Sequence, residues 1–324
     1  MVIEMTKARG HLIEQVTTSL EDAGFDLSSR CDVRPSCFDL VARKDEQLIL
    51  VKILSNIDAL TEEDALALQL VAHFFNATPL IVGSKTRRGE LDSGVVYKRY
   101  GVSSIAPKSL RAMIDEQQMP REFIQRGGRF VAIDGSHLQE VRLSQNLTKE
   151  ELASCVEVSA RAILAYEKDE MDVSSDVALR LEKVLETDLV IPIDVLRHRH
   201  VSPPNQQVPS GHKISDIEIR VNEFFARLGM QVLWSDRAPF HVAAKEDGPP
   251  VLSGVGSIKS RGLQKRIDII KSVSEVTDSD ALVIVEEGRV DESVSDLPVI
   301  RQLELDEIDK PRELKKIISE RSGN

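Results

Sequence analysis

The middle of this chain contains Leu147-Thr-Lys-Glu-Glu-Leu-Ala153 and, shortly after it, Val156-Glu-Val-Ser-Ala-Arg-Ala-Ile-Leu-Ala-Tyr-Glu167. Thr148 and Glu151 have the spacing of a capping box, in which each side chain satisfies a backbone N–H of the other residue. Ser159 offers a second N-cap so soon afterwards that the first helix can make only about two turns. The sequence therefore predicts two short helices joined by a tight turn.

The residues around these two helices predict a small helical core. On the second helix, Ile163 and Tyr166 share one face, whereas Ala160, Arg161 and Ala165 lie on or near the other. A later helix from Ser174 to Glu186 carries an apolar stripe. This stripe and the residues expected to pack against it are Val177, Leu181, Val184, Leu185, Leu138, Val141 and Leu147.

The segment from Gly135 to Glu186 resembles the helix-turn-helix domain of the lambda-repressor and Cro family. The resemblance implies double-stranded DNA as the partner and places Ser159, Ala160, Arg161 and Ala165 against bases or backbone. It also implies that Thr148 and Lys149 lie where a helix start touches a phosphate. An alternative is that the unit serves only for dimerisation or protein contact.

Two residues depart from the family pattern. The usual glycine of the turn is Glu157, so either Glu157 has a positive φ or the turn differs. Ala160 and Ala165 replace the common polar readers, which reduces direct hydrogen bonding to bases.

The net charge of −11 requires that any DNA binding depend on a local basic patch. The candidate cations are Arg121, Arg126, Arg129, Arg142, Lys149, Arg161 and Lys168. The stretch Arg126-Gly-Gly-Arg129 is interpreted either as a flexible arm that reaches DNA or as a solvated linker.

Composition indicates an ordinary globular protein of two to three domains, with 324 residues, 41% hydrophobic and 29% charged. No membrane span or secretion signal is expected, and three cysteines without a paired framework favour the reducing cytoplasm. Cys31 and Cys37 are expected to be reduced loop thiols, with pairing or metal binding as the alternative. No cofactor is predicted.

The regions that flank the helix-turn-helix resemble one another. Both follow an order of helix, strands, helix, strands and helix, and Phe38-Asp-Leu-Val-Ala-Arg43 matches Phe240-His-Val-Ala-Ala-Lys245. Interleaved strands and helices favour α/β domains. The predicted domains are an α/β wing at 1–120, an all-α helix-turn-helix domain at 121–196, a linker at 197–213 and a second α/β wing at 214–324.

The order of elements in the wings resembles the restriction-endonuclease-like fold, in a degenerate form. Active members hold a divalent metal with an Asp on one strand and a Glu-x-Lys on the next. Asp39 and Leu50-Val-Lys52 occupy those places, with Glu14 as a further acid, so the middle carboxylate is missing. His241, Leu252 and Gly254 occupy the places in the second wing. No catalytic or metal-binding residue is predicted, and Asp39 and Lys52 are expected to pair on a binding surface.

The order of domains resembles archaeal HTH-type transcriptional regulators. It implies a cytoplasmic DNA-binding regulator that acts as a homodimer, with wings that dimerise or sense an effector of unknown identity. The wings are expected to form more of the dimer interface than the helix-turn-helix, with anchors drawn from those large side chains that are exposed among Phe74, Phe75, Phe224, Phe225 and Trp234. The alternative is a metal-dependent nuclease or DNA-processing protein.

Overall fold

The structure is a computed structural model that describes residues 2–197, 215–286 and 291–322, with side chains described from residue 9 onward. Apart from Arg197, the predicted linker 197–213 lies outside the described residues. The chain divides into two compact units, the first formed by 1–19, 54–59 and 81–195 and the second by 20–53, 60–80 and 196–324. None of the helices in the described ranges has the length and apolar character needed to cross a membrane.

The described residues form the following elements. The α-helices are α1 (Val2–Asp22), α2 (Glu62–Phe75), α3 (Pro107–Asp115), α4 (Gly135–Ser144), α5 (Lys149–Cys155), α6 (Ala160–Glu167), α7 (Ser175–Leu185), α8 (Asp216–Arg227), α9 (Arg261–Thr277) and α10 (Pro311–Arg321). Short 3-10 helices span Ile57–Ala59 and Gln302–Glu307. The first ten strands are β1 (Asp26–Leu27), β2 (Leu40–Lys44), β3 (Gln47–Asn56), β4 (Thr78–Lys85), β5 (Val95–Arg99), β6 (Val102–Ile105), β7 (Glu122–Gln125), β8 (Gly128–Ile133), β9 (Val173–Ser174) and β10 (Val190–Ile191). The others are β11 (Gln231–Trp234), β12 (Val242–Lys245), β13 (Val251–Gly256), β14 (Asp280–Val285), β15 (Ser293–Val294) and β16 (Leu297–Arg301).

The second unit contains two sheet regions with similar strand arrangements. In the N-terminal part, β1, β2 and β3 form an antiparallel meander, and the start of β4 lies beside β3. In the C-terminal part, the strand order is β11-β12-β13-β14-β16-β15, with β11 to β13 antiparallel and β13, β14 and β16 parallel. The parallel strands β13 and β14 are joined by α9, as parallel pairs require a crossover.

Residues from these two parts pack against one another inside the second unit. The rings of Phe75 and Phe240 have their centroids 5.8 Å apart. The Lys245 Nζ donates to the Phe74 carbonyl over 2.7 Å and lies 4.6 Å from the centroid of that ring. The backbone N–H of Cys37 donates to the carbonyl of Arg237 over 2.7 Å. These contacts join segments that are far apart in sequence.

Three of the five large side chains proposed as dimer anchors in the wings, Phe75, Phe224 and Phe225, pack inside the chain, so the prediction is wrong for these three. Phe75, Phe224 and Phe225 are buried, with Phe224 and Phe225 in the apolar core of the C-terminal part. Phe74 and Trp234 are half-buried, and Trp234 packs against the same core. Because the apolar area of Phe75, Phe224 and Phe225 is buried within one chain, these three rings cannot anchor a second chain.

The first unit contains a sheet in the order β4-β6-β5-β7-β8-β10, and β9 also pairs with β8. The central region is therefore not all-α, because β7 to β10 lie between residues 121 and 196. Phe123, Val131 and Ile133 are buried at alternating strand positions, and the Phe123 and Phe130 rings stack with centroids 5.8 Å apart. These strands have few residues, so their alternation is a weak signal in the sequence.

Candidate nucleic-acid interface

Helices α5 and α6 begin at the caps that the sequence predicts. The Thr148 hydroxyl accepts from the Glu151 N–H over 3.1 Å, and the Glu151 carboxylate accepts from the Thr148 N–H over 2.8 Å. These hydrogen bonds hold the pKa of Glu151 below its usual value. The Ser159 hydroxyl accepts from the Ala162 N–H over 3.1 Å. Both helix starts are thus satisfied by side chains within three residues.

The turn between the helices has a positive φ at the position where the helix-turn-helix family usually has glycine. Glu157 has φ 57°, and the next residue, Val158, donates its N–H to the Ala153 carbonyl over 3.0 Å. Of the two alternatives for this turn, a positive φ at Glu157 is the one that the structure contains. Arg180 on α7 also contacts this turn, since its Nε donates to the Val156 carbonyl over 3.0 Å.

A compact apolar core positions the two helices. Its buried members include Val131, Ile133, Leu138, Leu152, Val156, Ile163, Tyr166, Val177, Leu181 and Leu185. Val141, Leu147 and Val184 pack against it while half-buried. The predicted packing of α4 and α7 is confirmed, and β8 contributes a face that the sequence interpretation did not include.

A buried ion pair ties α4 to the end of α6. The Arg142 Nε donates to Glu167 Oε1 over 2.5 Å, and the two side chains are 5% and 1% exposed. Arg142 also donates to the Leu147 carbonyl over 2.8 Å. Arg142 is therefore unavailable to DNA, and its prediction as a phosphate contact is wrong. The reason is a partner 25 residues away that local spacing does not reveal.

Lys149 takes part in the same network. Its Nζ lies 3.7 Å from Glu167 Oε2, an ion-pair distance without a hydrogen bond, and its side chain is 32% exposed. Thr148 is exposed, but its only O–H proton is donated to Glu151 over 2.8 Å. Both residues lie at the start of α5 as predicted, and both already have protein partners there.

The solvent-facing side of α6 carries one arginine and one lysine. Arg161 and Lys168 are exposed, and Leu164 between them is 38% exposed. Ser159 is exposed, whereas Ala160 and Ala165 are half-buried and Ala160 packs against the core. Leu164 was missed by sequence reasoning, although its i+3 spacing from Arg161 places it on the same face.

The stretch Arg126-Gly-Gly-Arg129 is a hairpin turn between paired strands, so it is neither a flexible arm nor a linker. It joins β7 to β8, which pair in antiparallel register. Gly127 and Gly128 have φ 113° and 144°, values that favour glycine. Arg129 is held by Glu122 and Asp92, with N···O distances of 2.7 and 3.0 Å. Arg126 is exposed.

The nuclease-like residues of the N-terminal part lie in a closed polar cluster. Asp39 is fully buried; its Oδ1 accepts from Arg34 over 3.0 Å and its Oδ2 accepts from the Ile53 N–H over 2.7 Å. Lys52 lies 4.0 Å from Asp39 and donates to the Ser36 carbonyl. The predicted ion pair is present, but it is buried and forms no binding surface.

These residues do not fit a divalent metal. Leu50, at the place of the middle carboxylate, is buried and apolar, and Asp39 already accepts two hydrogen bonds. Glu14 is 78% exposed and pairs with His11. Within the described ranges, no group of three or more His, Cys, Asp or Glu side chains could hold a metal.

Cys31 and Cys37 are also buried beside this polar cluster and carry no disulfide. Burial raises the pKa of both thiols above their usual value. They are therefore protonated and weakly reactive.

His241 takes the hydrogen-bonding place of Asp39 in the C-terminal part. Its Nδ1 accepts from the Val255 N–H over 2.9 Å, and donor and acceptor are 14 residues apart, as they are for Ile53 and Asp39. Gly254 supplies no charged group where Lys52 would be. Position 241 therefore accepts the same backbone hydrogen bond as Asp39, although it carries an imidazole in place of a carboxylate.

Comparison with known proteins agrees with this geometry. Residues 138–191 match the Helix-turn-helix family, and residues 9–120 match the PD-(D/E)XK superfamily domain. The protein thus combines a helix-turn-helix with a nuclease-like α/β domain. No solved structure matches the chain.

Relatives of nearly the same length match almost the whole chain. The chain is 36% identical over 310 residues to the "Putative HTH-type transcriptional regulatory protein" of Thermococcus kodakarensis, covering 96% of this chain and 95% of that one. A protein of the same name from Pyrococcus horikoshii is 36% identical, with 96% and 97% covered. One from Methanosarcina acetivorans is 34% identical, with 96% of each covered. The chain belongs to this family of archaeal HTH-type transcriptional regulatory proteins.

The buried ion pair yields a stability prediction. Glu167→Ala leaves the Arg142 guanidinium buried without its counter-charge, so the free energy of unfolding should fall by about 3–5 kcal/mol. Glu150→Ala on exposed α5 surface is the control and should stay within about 0.5 kcal/mol of the parent. Urea denaturation followed by circular dichroism measures both. Equal midpoints for Glu167→Ala and the parent would show that the pair does not stabilise the domain.

Proposed function

We propose that this protein is a sequence-specific transcriptional regulator that binds double-stranded DNA through α5 and α6. The observation that carries the proposal is the capped α5–α6 pair, whose second helix presents Arg161 to solvent. The names of its full-length relatives support the same function. An exposed arginine near the start of the second helix fits a helix that enters the major groove by its N-terminal residues.

The residues proposed to face DNA are Thr148, Lys149, Ser159, Ala160, Arg161, Ala165 and Lys168. Arg161 and Lys168 carry the main attraction, because both are exposed and no ion pair engages either within the described residues. Lys149 contributes less, since Glu167 already attracts its ammonium group. The half-buried Ala160 and Ala165 supply contact with apolar base edges.

The α/β regions act without catalysis in this proposal. Leu50 at the acid position and the hydrogen-bonded state of Asp39 support their catalytic silence. The C-terminal α/β region, 214–324, is a second PD-(D/E)XK-like copy of the region 1–120, a relation supported by the matching bonds at Asp39 and His241. The central domain spans 121–196. Binding of chromosomal DNA in an archaeon requires a cytoplasmic location.

The proposed regulator is a homodimer, because one short recognition helix reads few base pairs and half-sites pair through two-fold symmetry. Exposed large apolar side chains are the natural contacts for a second copy. Among those in the described residues, Leu143, Met171 and Leu179 lie within the single region 121–196 and outside the DNA-facing side of α6, whereas Tyr100 lies in the N-terminal wing and Ile219 and Leu303 lie in the C-terminal one. We therefore assign the interface to the central region, in place of the wings.

Arg161→Ala should weaken binding to a duplex selected from a random pool by about 1–3 kcal/mol, because a long donor is lost from the base-reading side. Fluorescence anisotropy in a salt titration measures the loss. Arg111→Ala, which removes an exposed arginine from α3, is the control and should bind as the parent does. If Arg161→Ala binds the selected duplex as tightly as the parent, α6 is not the reading helix.

Purified protein with Mg²⁺ or Mn²⁺ should leave linear, supercoiled and branched DNA intact, because no middle carboxylate completes a metal site. Gel electrophoresis after prolonged incubation is the measurement. Cleavage that disappears in Asp39→Ala or Lys52→Ala would instead establish a nuclease and overturn the proposed silence of the α/β regions.

Leu179→Glu should convert the dimer to monomers in sedimentation equilibrium, because a charge would be buried in the interface. Leu303→Glu is the matched control, since the two leucines are 65% and 61% exposed. It should remain dimeric. A monomeric parent would remove the dimer from the proposal, and dissociation by Leu303→Glu alone would move the interface to the C-terminal part.

A further inference from the structure

A tight turn in the first unit presents three cations outside the helix-turn-helix. Residues 84–90 comprise the end of β4 and the turn after it, and they include Lys85, Arg87 and Arg88, all exposed. The Thr86 N–H donates to the Gly89 carbonyl over 2.8 Å, and the Arg88 N–H donates to the Thr86 hydroxyl over 3.1 Å. These bonds fix the backbone of the turn, so its cations need little ordering when they bind a ligand.

Asp58 connects this turn to strand β5 through two hydrogen bonds. Its Oδ2 accepts from the Arg87 N–H over 2.9 Å, and its Oδ1 accepts from the Arg99 Nε over 2.7 Å. Burial alone would raise the pKa of Asp58, but these hydrogen bonds and the nearby guanidinium groups lower it. Asp58 binds the backbone of Arg87 and the side chain of Arg99, so it leaves the Arg87 and Arg88 guanidinium groups facing solvent.

A fourth cation lies at the same edge of the sheet. Strand β5 pairs with β7 in parallel, with Tyr97 opposite Ile124. In this register the two strands end close together, β5 at Arg99 and β7 at Gln125, and Arg126 is the next residue after β7. Arg99 bonds to Asp58, and Asp58 bonds to the turn at Arg87. The exposed Arg126 therefore lies at the same edge of the sheet as residues 84–90. We call Lys85, Arg87, Arg88 and Arg126 the basic edge.

The basic edge is tied to the end of the proposed recognition helix. Gln125, next to Arg126, donates from its Nε2 to Asp172 Oδ2 over 3.1 Å. Asp172 belongs to the short segment that follows α6, four residues after Lys168. The acids nearest to the edge are Asp58, Glu90 and Asp172. Asp58 forms its ion pair with Arg99, and among the described residues no ion pair joins any of the three acids to the four cations of the edge.

We propose that the basic edge binds the DNA phosphate backbone beside the site read by α6, and this inference rests on the proposed function. Three arginines and a lysine give charge-assisted hydrogen bonds to phosphate without reading base sequence. A chain with net charge −11 repels DNA overall, so an ordered cluster of cations beside the reading helix has a specific use. Phosphate contacts fix the orientation of the helix on the duplex.

The test compares two duplexes, one selected from a random pool by the parent protein and one of shuffled sequence. Arg87→Ala with Arg88→Ala should weaken binding to both by the same factor, roughly tenfold, and reduce the slope of log affinity against log salt by about 2. Arg87→Lys with Arg88→Lys keeps the charge and should restore the slope. The control Lys315→Ala with Lys316→Ala removes two exposed charges from α10 and should leave the slope unchanged.

The outcomes separate this inference from the proposed function. If the parent selects no duplex, the proposed function fails and the inference fails with it. If Arg161→Ala weakens binding while Arg87→Ala with Arg88→Ala keeps the parent's affinity and slope, the inference alone is overturned. A loss confined to the selected duplex, or an equal loss in the α10 control, also overturns it, because the edge would then read sequence or act only through net charge.

Discussion

The Arg142–Glu167 ion pair is the interaction on which the helix-turn-helix depends. It joins the last turn of α4 to the last residue of α6, and its remaining contacts reach the Leu147 carbonyl before α5 and Lys149 within it. Removing two charges from water costs several kcal/mol per ion, and only good geometry with further hydrogen bonds repays that cost. The 2.5 Å contact and the bond to the Leu147 carbonyl meet this condition for Arg142, whereas Glu167 Oε2 has no hydrogen bond and has the Lys149 ammonium 3.7 Å away. Three helices are therefore held in one relative orientation. Hydrogen bonds have a preferred direction, so they fix this orientation more specifically than apolar contacts alone.

Features that depend on nearby residues could be predicted from the sequence. The caps at Thr148 and Ser159 act on N–H groups three residues away, so spacing alone identifies them. The positive φ of Glu157 follows from its place where the family has glycine. The apolar stripe of α7 follows from helical periodicity. Each of these rests on interactions within one or two turns of the chain.

Features that depend on distant partners could not be predicted in this way. Arg142 is a cation close to the helix-turn-helix, as a DNA contact would be. It is a buried residue instead, because it pairs with a glutamate 25 residues away. Phe75 would suit an interface between chains, yet Phe240 covers it within this chain. The β7–β8 hairpin has short strands and a Gly-Gly turn that is equally typical of a linker. In each case a long-range contact decides between two local interpretations.

The nuclease-like cluster shows how a catalytic position can become structural. Asp39 accepts the N–H of Ile53, and His241 accepts the N–H of Val255 at the same separation. A buried N–H without an acceptor costs free energy, so an acceptor is needed at this position even when no metal is bound. A histidine can meet that need, whereas it cannot replace a bridging carboxylate in a magnesium site. The two positions therefore share the acceptor that a buried N–H requires, although only one of them carries a carboxylate.

The distribution of charge gives the remaining constraint on DNA binding. Within the first unit many cations are neutralised by nearby carboxylates, as in the pairs Arg99–Asp58, Arg129–Asp92 and Arg142–Glu167. Net negative charge weakens attraction to DNA in general, so non-specific binding is suppressed more than binding that uses a few well-placed cations. A regulator must distinguish its site from a large excess of other sequence, and the ratio of the two affinities matters more than either alone. An acidic chain with a few exposed arginines near the proposed reading helix raises the ratio of specific to non-specific affinity.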